Sequence, residues 1–521
     1  MLKRIKIDIL FVSIFIILSA LFYNGFKELN ELPKGFHHWK QSMHFSIIQN
    51  YTKEDTGFLH PSINNLFNND NTGNLILEFP ILHKITAIII QVIPFTSPNI
   101  FRWLILVLTF IGFFHAYKLA NQILNDQILS FFTSLLTFVI PIVVYYGANY
   151  LVDVPAMAFG FSTIYYFEKY YLKNNVIHLI AGLLFFTLSG LLRLPVLILP
   201  ISYIATTLVL RKKPFYLLWV IPSIIIVLIW YYYVKTHNNY FVSYPPSETY
   251  SYLTTAKISS TYESIFRFMI YQFGFIYRFA VFYIIVGVLL LVYRKNLSAF
   301  WITVLLVNLL GSFIYIFLWF GIFEQHDYYF VPVIPIVFLI WINIFYLAKK
   351  SDIRKYYIII AMALLFLNCI SVYGNMRQRT YKKKINVTHI LPSKFESGMW
   401  YFFKDDDTKN WKVLREISPF THNTLLNNYG ILPQDTVICD FDMSPTYSLA
   451  LLDKKGWTGY NCNFQSLKDY EKYANMGAKY LFCNKNKKTD LDSIQLSLLR
   501  KNLVFQKDNL LVYNITHLRN K

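Results

Sequence analysis

Two acidic residues, Glu78 and Asp153, each lie beside an apolar run and could exchange a proton with a substrate. Glu78 opens the stretch EFPILHK, and Asp153 lies in NYLVDVPAM, where one apolar run ends and the next begins. Carboxylates in such places can act as general acids or bases. The structural alternative is that each stabilises the start of a helix, where backbone N–H groups lack partners and where Pro155 suits the first turn.

Two basic residues near these stretches could bind an anionic group such as a phosphate. Arg193 lies in GLLRLPVLILP with apolar residues on both sides, and Lys84 ends EFPILHK. Guanidinium and ammonium groups bind phosphate through charge-assisted hydrogen bonds. The alternative is that each long side chain only extends from an apolar segment to the membrane surface.

A polar cluster at residues 35–44, GFHHWKQSMH, follows the first apolar run. A tryptophan is an ordinary anchor at a membrane surface, but three histidines, a lysine and a glutamine around it are not. We therefore treat three of its members as candidates for substrate binding: His38, Lys40 and Gln41.

A second polar cluster, FEQHDYYFVP at residues 323–332, directly precedes an apolar run. Its tyrosines fit the role of interface anchors, so His326 and Asp327 are the stronger candidates for a functional role. Tyr328 is included with them as a candidate for substrate binding.

The composition of the chain requires a membrane. Of the 521 residues, 55% are hydrophobic and only 15% are charged, and the mean hydropathy is +0.39. The formal net charge of +20 comes from short lysine and arginine clusters between apolar runs, as expected for cytoplasmic loops. The charge therefore predicts topology, and no nucleic-acid partner is expected.

About eleven apolar runs are long enough to cross a bilayer as helices. They begin near Ile7, Phe101, Ile128, Val152, Val176, Val196, Phe215, Phe273, Phe300, Phe330 and Tyr356. The stretch at 79–95 would also qualify by hydropathy, but counting it as a crossing would place nearly all later basic clusters outside. We therefore predict that it is interfacial or re-entrant and that the amino terminus is cytoplasmic.

This topology places all the candidate residues on the extracytoplasmic side. The predicted membrane domain covers residues 1–374, including an outer loop at 27–78 and the interfacial segment at 79–95. Residues 375–521 form a predicted extracytoplasmic α/β domain, with strand-like DTVICDFD and KYLFCN, helix-like SLKDYEKYANMGA and a hairpin in LVFQKDNLLVYNI. The fold class is a mainly α polytopic membrane protein with a small α/β domain.

No cofactor is predicted. The four cysteines lack the spacing of a metal site, and no Gly-rich nucleotide-binding loop is present. A requirement for a divalent metal is not indicated by these patterns and is left open.

The order of the motifs resembles that of the bacterial GT-C glycosyltransferases. After the first helix come a large loop with a W-[RK]-Q element, EFP, an aspartate after the third helix, a basic residue before LP, and HDYY. Within this superfamily, the chain is similar to the branch related to protein O-mannosyltransferases and lipid A aminoarabinose transferases. The resemblance spans the membrane region and extends to DFDMSPTYSLALLDKKGWT and GAKYLF near the carboxyl end.

The resemblance implies an enzyme that transfers a sugar from a polyprenyl-phosphate carrier to an acceptor hydroxyl on a glycan, lipid or protein. It would act on the extracytoplasmic face of the bacterial inner membrane. Asp153 is then the candidate base with Glu78 as its rival, and Arg193 and Lys84, with His326 or Lys40 behind them, would bind the phosphate. This reading requires Glu78, Asp153 and Arg193 to converge on one pocket.

One motif departs from the family pattern. Relatives often read W-R-Q-x-D in the first loop, whereas the matching position here is Met43. Either His38 or His44 replaces the missing acid, or Glu78 and Asp153 do the acid/base work, or this branch has an altered activity. We expect that Glu78 and Asp153 do the acid/base work.

Two other classes of function remain open. A flippase or transporter of lipid-linked glycans should place several charges near the middle of the membrane, whereas here they lie at one face. A non-catalytic membrane scaffold, with the carboxyl-terminal domain as its binding module, would be compatible with the missing first-loop acid.

Overall fold

The computed structural model groups the chain into two compact units. The helical unit comprises Met1–Leu29 and Arg102–Ser393, and the α/β unit comprises Asn30–Phe101 and Lys394–Lys521. The structure describes residues 2–54, 57–68, 71–93, 97–212, 215–237, 297–324, 326–349, 354–381, 405–421, 425–460, 462, 464, 466–485 and 501–519.

The described part of the helical unit consists mainly of helices. They are α1 (Leu2–Phe22), α4 (Ile100–Leu124), α5 (Gln127–Phe138), α6 (Pro141–Tyr146), α7 (Asp153–Lys173), α8 (Val176–Leu192), α9 (Ile198–Leu210), α10 (Phe215–His237), α11 (Ala299–Leu318), α12 (Pro335–Ala348) and α13 (Arg354–Tyr381). Short 3-10 helices at Leu194–Leu197, Phe320–Glu324 and Asp327–Val333 lie between some of them.

Several of these helices can cross a membrane, so the chain is a membrane protein. Five segments of the described residues are long and apolar enough: Ile100–Leu124, Leu218–His237, Ala299–Leu318, Asp327–Ala348 and Arg354–Arg377. The expected total of eleven is not confirmed by this number. The span predicted from Phe273 lies outside the described residues, as does nearly all of the loop from Lys235 to Tyr271.

Local sequence signals explain where helices begin and how closely they pack. The Asp126 side chain accepts hydrogen bonds from the N–H groups of Ile128 and Leu129, at 3.0 and 3.1 Å, and so caps α5. Helices α7 and α8 approach each other closely at Gly182, where an added Cβ would lie 2.4 Å from the Phe167 ring. Small residues at such contacts allow apolar helices to pack tightly.

The α/β unit contains a five-stranded sheet in the order β2-β1-β3-β5-β4. Strand β1 pairs in parallel with β2 and β3, while β5 pairs antiparallel with β3 and β4. The strands are β1 (Val437–Cys439), β2 (Gly456–Thr458), β3 (Tyr480–Asn484), β4 (Leu503–Lys507) and β5 (Leu510–Asn514).

The helices of the α/β unit come from both ends of the chain. They are α2 (His38–Lys53), α3 (Ile81–Val92), α14 (Asp405–Glu416), α15 (Leu425–Asn428), α16 (Tyr447–Leu452) and α17 (Leu467–Asn475). The strands, the helix and the hairpin predicted in the carboxyl-terminal region are confirmed by β1, β3, α17 and β4–β5. With 12 residues, α3 is about 18 Å long, shorter than a membrane-spanning helix needs, and its interfacial position stays a prediction.

The grouping of residues 30–101 with the carboxyl-terminal region differs from the predicted domain boundaries. The N–H of Leu66 donates to the carbonyl of Gly456 at 2.8 Å, and the N–H of Gly456 donates to the carbonyl of Asn64 at 3.0 Å. The loop therefore adds a short parallel segment to the edge of β2. The Asn65 amide also donates to the Pro445 carbonyl at 2.7 Å and to the Thr458 hydroxyl at 2.9 Å.

Candidate functional site

Asp153 is the first residue of α7 and is fully buried. Its Oδ1 lies 2.9 Å from Nε of Arg193, so the carboxylate is paired with a guanidinium. The N-cap of α7 is Val152, and among the described residues neither carboxylate oxygen of Asp153 accepts a hydrogen bond, in contrast to the helix-cap alternative. A buried carboxylate is tolerated when a partner compensates its charge, and Arg193 is that partner.

The backbone around Arg193 explains how its side chain reaches Asp153. Helix α8 ends at Leu192, and Arg193 adopts an extended conformation before the 3-10 turn at Leu194–Leu197. The N–H of Leu194 donates to the Tyr231 hydroxyl at 2.9 Å, which satisfies a donor at the start of the 3-10 turn. Arg193 therefore lies at a break between two helices.

The HDYY segment surrounds the other side of Arg193. The guanidinium carbon lies 4.5 Å from the ring centroid of Tyr329 and 5.8 Å from that of Tyr328, both within cation–π range. The buried Asp327 accepts a hydrogen bond of 2.5 Å from the Tyr146 hydroxyl. The His326 ring lies 5.4 Å from the Tyr328 ring. The helical unit thus brings together Asp153, Arg193, His326, Asp327 and Tyr328.

Glu78 forms a second carboxylate–cation pair, within the α/β unit. It is 6% exposed and lies in the bend before α3, whose N-cap is Pro80, so Glu78 is not the helix cap. Its Oε1 lies 2.9 Å from Nζ of Lys40, and its Oε2 lies 3.6 Å from Nε2 of His44. The W-K-Q element therefore contributes its lysine to Glu78.

His44 and His83 form a pair that sequence reasoning did not identify. Nδ1 of His44 lies 2.8 Å from Nε2 of His83, and the two rings are nearly parallel. Burial lowers the pKa of His83 to about 4, although the charge of Glu78 acts in the opposite direction. The signal in the sequence is the histidine within EFPILHK, between Glu78 and Lys84.

His38 and Gln41 contact the backbone that leads into α2. The Gln41 amide donates to the carbonyls of Lys34 and Phe36, at 2.9 and 2.7 Å. Nδ1 of His38 lies 3.2 Å from the Gly35 carbonyl, and its ring packs 4.4 Å from the Tyr447 ring. These contacts fix the position of α2, and binding of a substrate by either side chain stays a prediction.

Lys84 differs from Lys40 in its surroundings. Its ammonium lies 4.9 Å from the Tyr51 ring centroid, and within the described part of the chain no carboxylate lies within ion-pair distance of it. Binding of an anion by Lys84 stays a prediction.

The described residues contain no group of three or more histidine, cysteine, aspartate or glutamate side chains arranged to hold a metal ion. His44 and His83 hydrogen-bond directly to each other, so their nitrogens do not converge on a common point. The predicted convergence of Glu78 with Asp153 and Arg193 involves both units and stays a prediction.

Comparisons with known proteins identify the fold. No protein-family model and no curated protein matches the chain. Among solved structures, the chain resembles ArnT from Cupriavidus metallidurans in the apo state, with a TM-score of 0.56 and 10% identity over 98% of both chains. It also resembles the same protein bound to undecaprenyl phosphate, with a TM-score of 0.59 and 11% identity over 98% of this chain and 99% of that one.

A third similarity is to the oligosaccharyltransferase AglB from Archaeoglobus fulgidus, with a TM-score of 0.49 and 12% identity over 91% of this chain and 69% of that one. At such low identities a likeness shows the fold alone. The resemblance found in the sequence is confirmed at that level: the chain has the fold of ArnT, a GT-C glycosyltransferase.

Proposed function

We propose that this protein transfers a sugar from a polyprenyl-phosphate-linked donor to an acceptor hydroxyl of a glycan, lipid or protein. The observation that supports the proposal most strongly is the fold shared over 98% of the chain with ArnT, which was crystallised with undecaprenyl phosphate. The reaction would take place on the extracytoplasmic face of a bacterial inner membrane. The donor lipid and the surrounding membrane lipids are its expected partners.

Two chemical tasks follow from this reaction. The acceptor hydroxyl must lose a proton as it attacks the anomeric carbon, and the negative charge that develops on the leaving phosphate must be stabilised. In our proposal Asp153 is the base and Glu78 its rival. Both are carboxylates beside a cation, at 2.9 Å in each case.

The phosphate would be bound by the cations near these carboxylates. The planar guanidinium of Arg193, which contacts Asp153 through Nε, is the kind of group that binds a phosphate bidentately, and we propose that it does so here. Lys84 has no carboxylate partner among the described residues and supplies a second positive charge. His326 and Lys40 are proposed as further phosphate ligands, and His38, Gln41, Asp327 and Tyr328 are proposed to contact the substrate.

The assignment of the base is tested with Asp153→Asn and Glu78→Gln. Membranes containing equal amounts of folded protein receive undecaprenyl phosphates carrying radiolabelled mannose, glucose or aminoarabinose, and sugar transfer is measured. Removal of the base should slow turnover about 10²- to 10⁴-fold, because general base catalysis typically contributes that much. A variant with unaltered turnover rules out its residue as the base.

Glu168→Gln is the matched control for Asp153→Asn. Glu168 lies near the other end of α7 and pairs with Arg211 at 2.7 and 3.0 Å, so it is also a buried carboxylate bound to a guanidinium. Its replacement should leave sugar transfer unchanged. An equal loss in both variants would mean that disturbance of α7, and not loss of a base, slows the reaction.

The same assay separates the enzyme from the alternatives. A glycosyltransferase releases free polyprenyl phosphate as it transfers the sugar. A flippase moves the intact carrier, and a scaffold leaves it unchanged. Absence of free polyprenyl phosphate with every donor and acceptor tested would favour these classes.

A further inference from the structure

Four polar side chains of the α/β unit form a continuous line from Lys40 through Glu78 and His44 to His83. The successive distances are 2.9 Å, 3.6 Å and 2.8 Å. Lys40 and His44 are one turn apart on α2 and share a face of that helix. His44 and His83 are almost completely buried, with 0% and 1% of their surface exposed.

The proton positions in this line follow from its charged end. Glu78 faces the ammonium of Lys40, which favours the carboxylate form. A carboxylate facing Nε2 of His44 favours a proton on that nitrogen. Nδ1 of His44 then accepts a hydrogen bond and does not donate one, so the proton between the two rings belongs to Nε2 of His83.

This assignment leaves a lone pair on Nδ1 of His83. Within the described residues, this buried nitrogen has no hydrogen-bond partner. Buried polar atoms nearly always have one, and an exception calls for an explanation, of which a catalytic role is one. The ring is held between His44 and Phe101, whose centroids lie 5.0 and 5.2 Å away.

We propose that His83 is a further catalytic residue, whose Nδ1 accepts the proton of the acceptor hydroxyl, and that His44 and Glu78 relay this proton away. The inference rests on the proposed glycosyl transfer and decides between its two candidate carboxylates: the proton leaves through His83 towards Glu78, and Asp153 is left to hold Arg193 in place. Glu78 then acts at a distance, as the end of a relay that replaces the acid expected at Met43.

The acceptor oxygen forms a bond to the anomeric carbon, while the bond from that carbon to the phosphate oxygen breaks and the phosphate leaves with the electron pair. The hydroxyl proton moves to Nδ1 of His83, the proton on Nε2 of His83 moves to Nδ1 of His44, and the proton on Nε2 of His44 moves to Glu78.

The relay explains how a weakly basic histidine such as His83 could act as the proton acceptor. With its pKa lowered to about 4 by burial, His83 is neutral near pH 7 and presents its lone pair, but it would not hold a proton by itself. Transfer onward to Glu78 removes that difficulty. The gap of 3.6 Å between His44 and Glu78 exceeds a hydrogen bond, and catalytic contacts of this kind often shorten when substrate binds.

The proposal is tested with His83→Gln in the full-length protein. The amide nitrogen of glutamine can take the place of Nε2 and still donate to His44, but glutamine has no atom that replaces the lone pair of Nδ1. With the labelled undecaprenyl-phosphate donors, kcat should fall at least 10²-fold while KM for the donor stays within about twofold. His60→Gln, an exposed histidine in the same unit, is the matched control and should retain full activity.

A second variant separates a catalytic role from a structural one. In His83→Ala, added imidazole should raise turnover at least tenfold, because a small base can occupy the vacated volume. Turnover lost through a structural defect would not respond to imidazole. Turnover of His83→Gln within twofold of the wild type, or failure of imidazole to restore His83→Ala, overturns the relay. If the wild type transfers no sugar from any donor, the proposed function fails instead.

Discussion

At the scale of single residues, the candidate carboxylates are held by cations, and this pairing is both a structural and a functional constraint. Asp153 is fully buried and contacts Arg193, and Glu78 contacts Lys40. A buried ion pair adds little stability over an apolar pair, but removal of one partner leaves the other charge uncompensated. The effects of single substitutions here therefore combine loss of chemistry with loss of stability.

Arg193→Gln should lower the free energy of unfolding by about 3–5 kcal/mol, since Asp153 would remain buried without a cation. Adding Asp153→Asn should recover part of this loss because the stranded charge disappears. Thermal unfolding of the purified protein in detergent measures both. Lys412→Gln, which breaks an exposed pair with Glu416, should change stability by less than about 1 kcal/mol.

The lowered pKa of His83 predicts a specific pH dependence of stability. Between about pH 6.5 and its folded-state pKa of about 4, the unfolded chain binds a proton that the folded protein does not. The free energy of unfolding should therefore decrease as the pH falls through this range, by at most about 3 kcal/mol from this residue. It should be restored as the pH rises above about 6.5.

His83→Gln removes this titrating group and provides the comparison. Chemical unfolding at pH 7 and at pH 4.5 should show a smaller difference for the variant than for the wild type. Equal differences in the two proteins would contradict the burial of a neutral imidazole at this position.

At the scale of helices and strands, local signals in the sequence were sufficient to predict individual elements. They were not sufficient to predict contacts between segments that are distant in the chain. The start of α7 at Asp153, helix α17 and the β4–β5 hairpin follow from apolar periodicity and turn residues within a few positions. The pairing of His44 with His83 depends on where α2 lies against α3, which periodicity does not encode. The same holds for the contact of the first loop with β2.

Asn65→Ala should destabilise the α/β unit by about 2 kcal/mol, because it leaves the buried Pro445 carbonyl without its donor. Thermal unfolding and the rate of trypsin cleavage within residues 30–101 would both report the change. Asn68→Ala is the matched control, since its hydrogen bond to the Asn74 carbonyl is exposed. Faster cleavage in the control as well would show that the loop is not held by Asn65.

At the scale of the whole molecule, the sequence predicted a polytopic membrane fold correctly, since apolar length and charge distribution are global properties. The GT-C resemblance came from the order of short motifs, and the shared fold with ArnT agrees with it. The geometry of the candidate site depends on many contacts between residues that are distant in the chain. From the sequence, therefore, only a group of candidate site residues could be proposed, without their arrangement.

The proposed topology predicts where a reporter enzyme will be active. Alkaline phosphatase, which folds only outside the cytoplasm, should be active when fused after Lys521 and inactive when fused after Lys213. The positive-inside rule requires this pattern for the Arg211–Lys213 cluster. The reverse pattern would place the α/β unit in the cytoplasm and exclude a reaction on the outer face.

The strand-like segment at residues 64–66 has a consequence for biosynthesis. Its partner on β2 is far away in the chain; the Trp457 indole and the Leu66 carbonyl that it binds are separated by 391 positions. At ordinary rates of translation, a ribosome needs roughly 20 to 80 s to make that length of chain. The nascent loop must therefore remain without its sheet until β2 has been made, and chaperones have that interval in which to act on it.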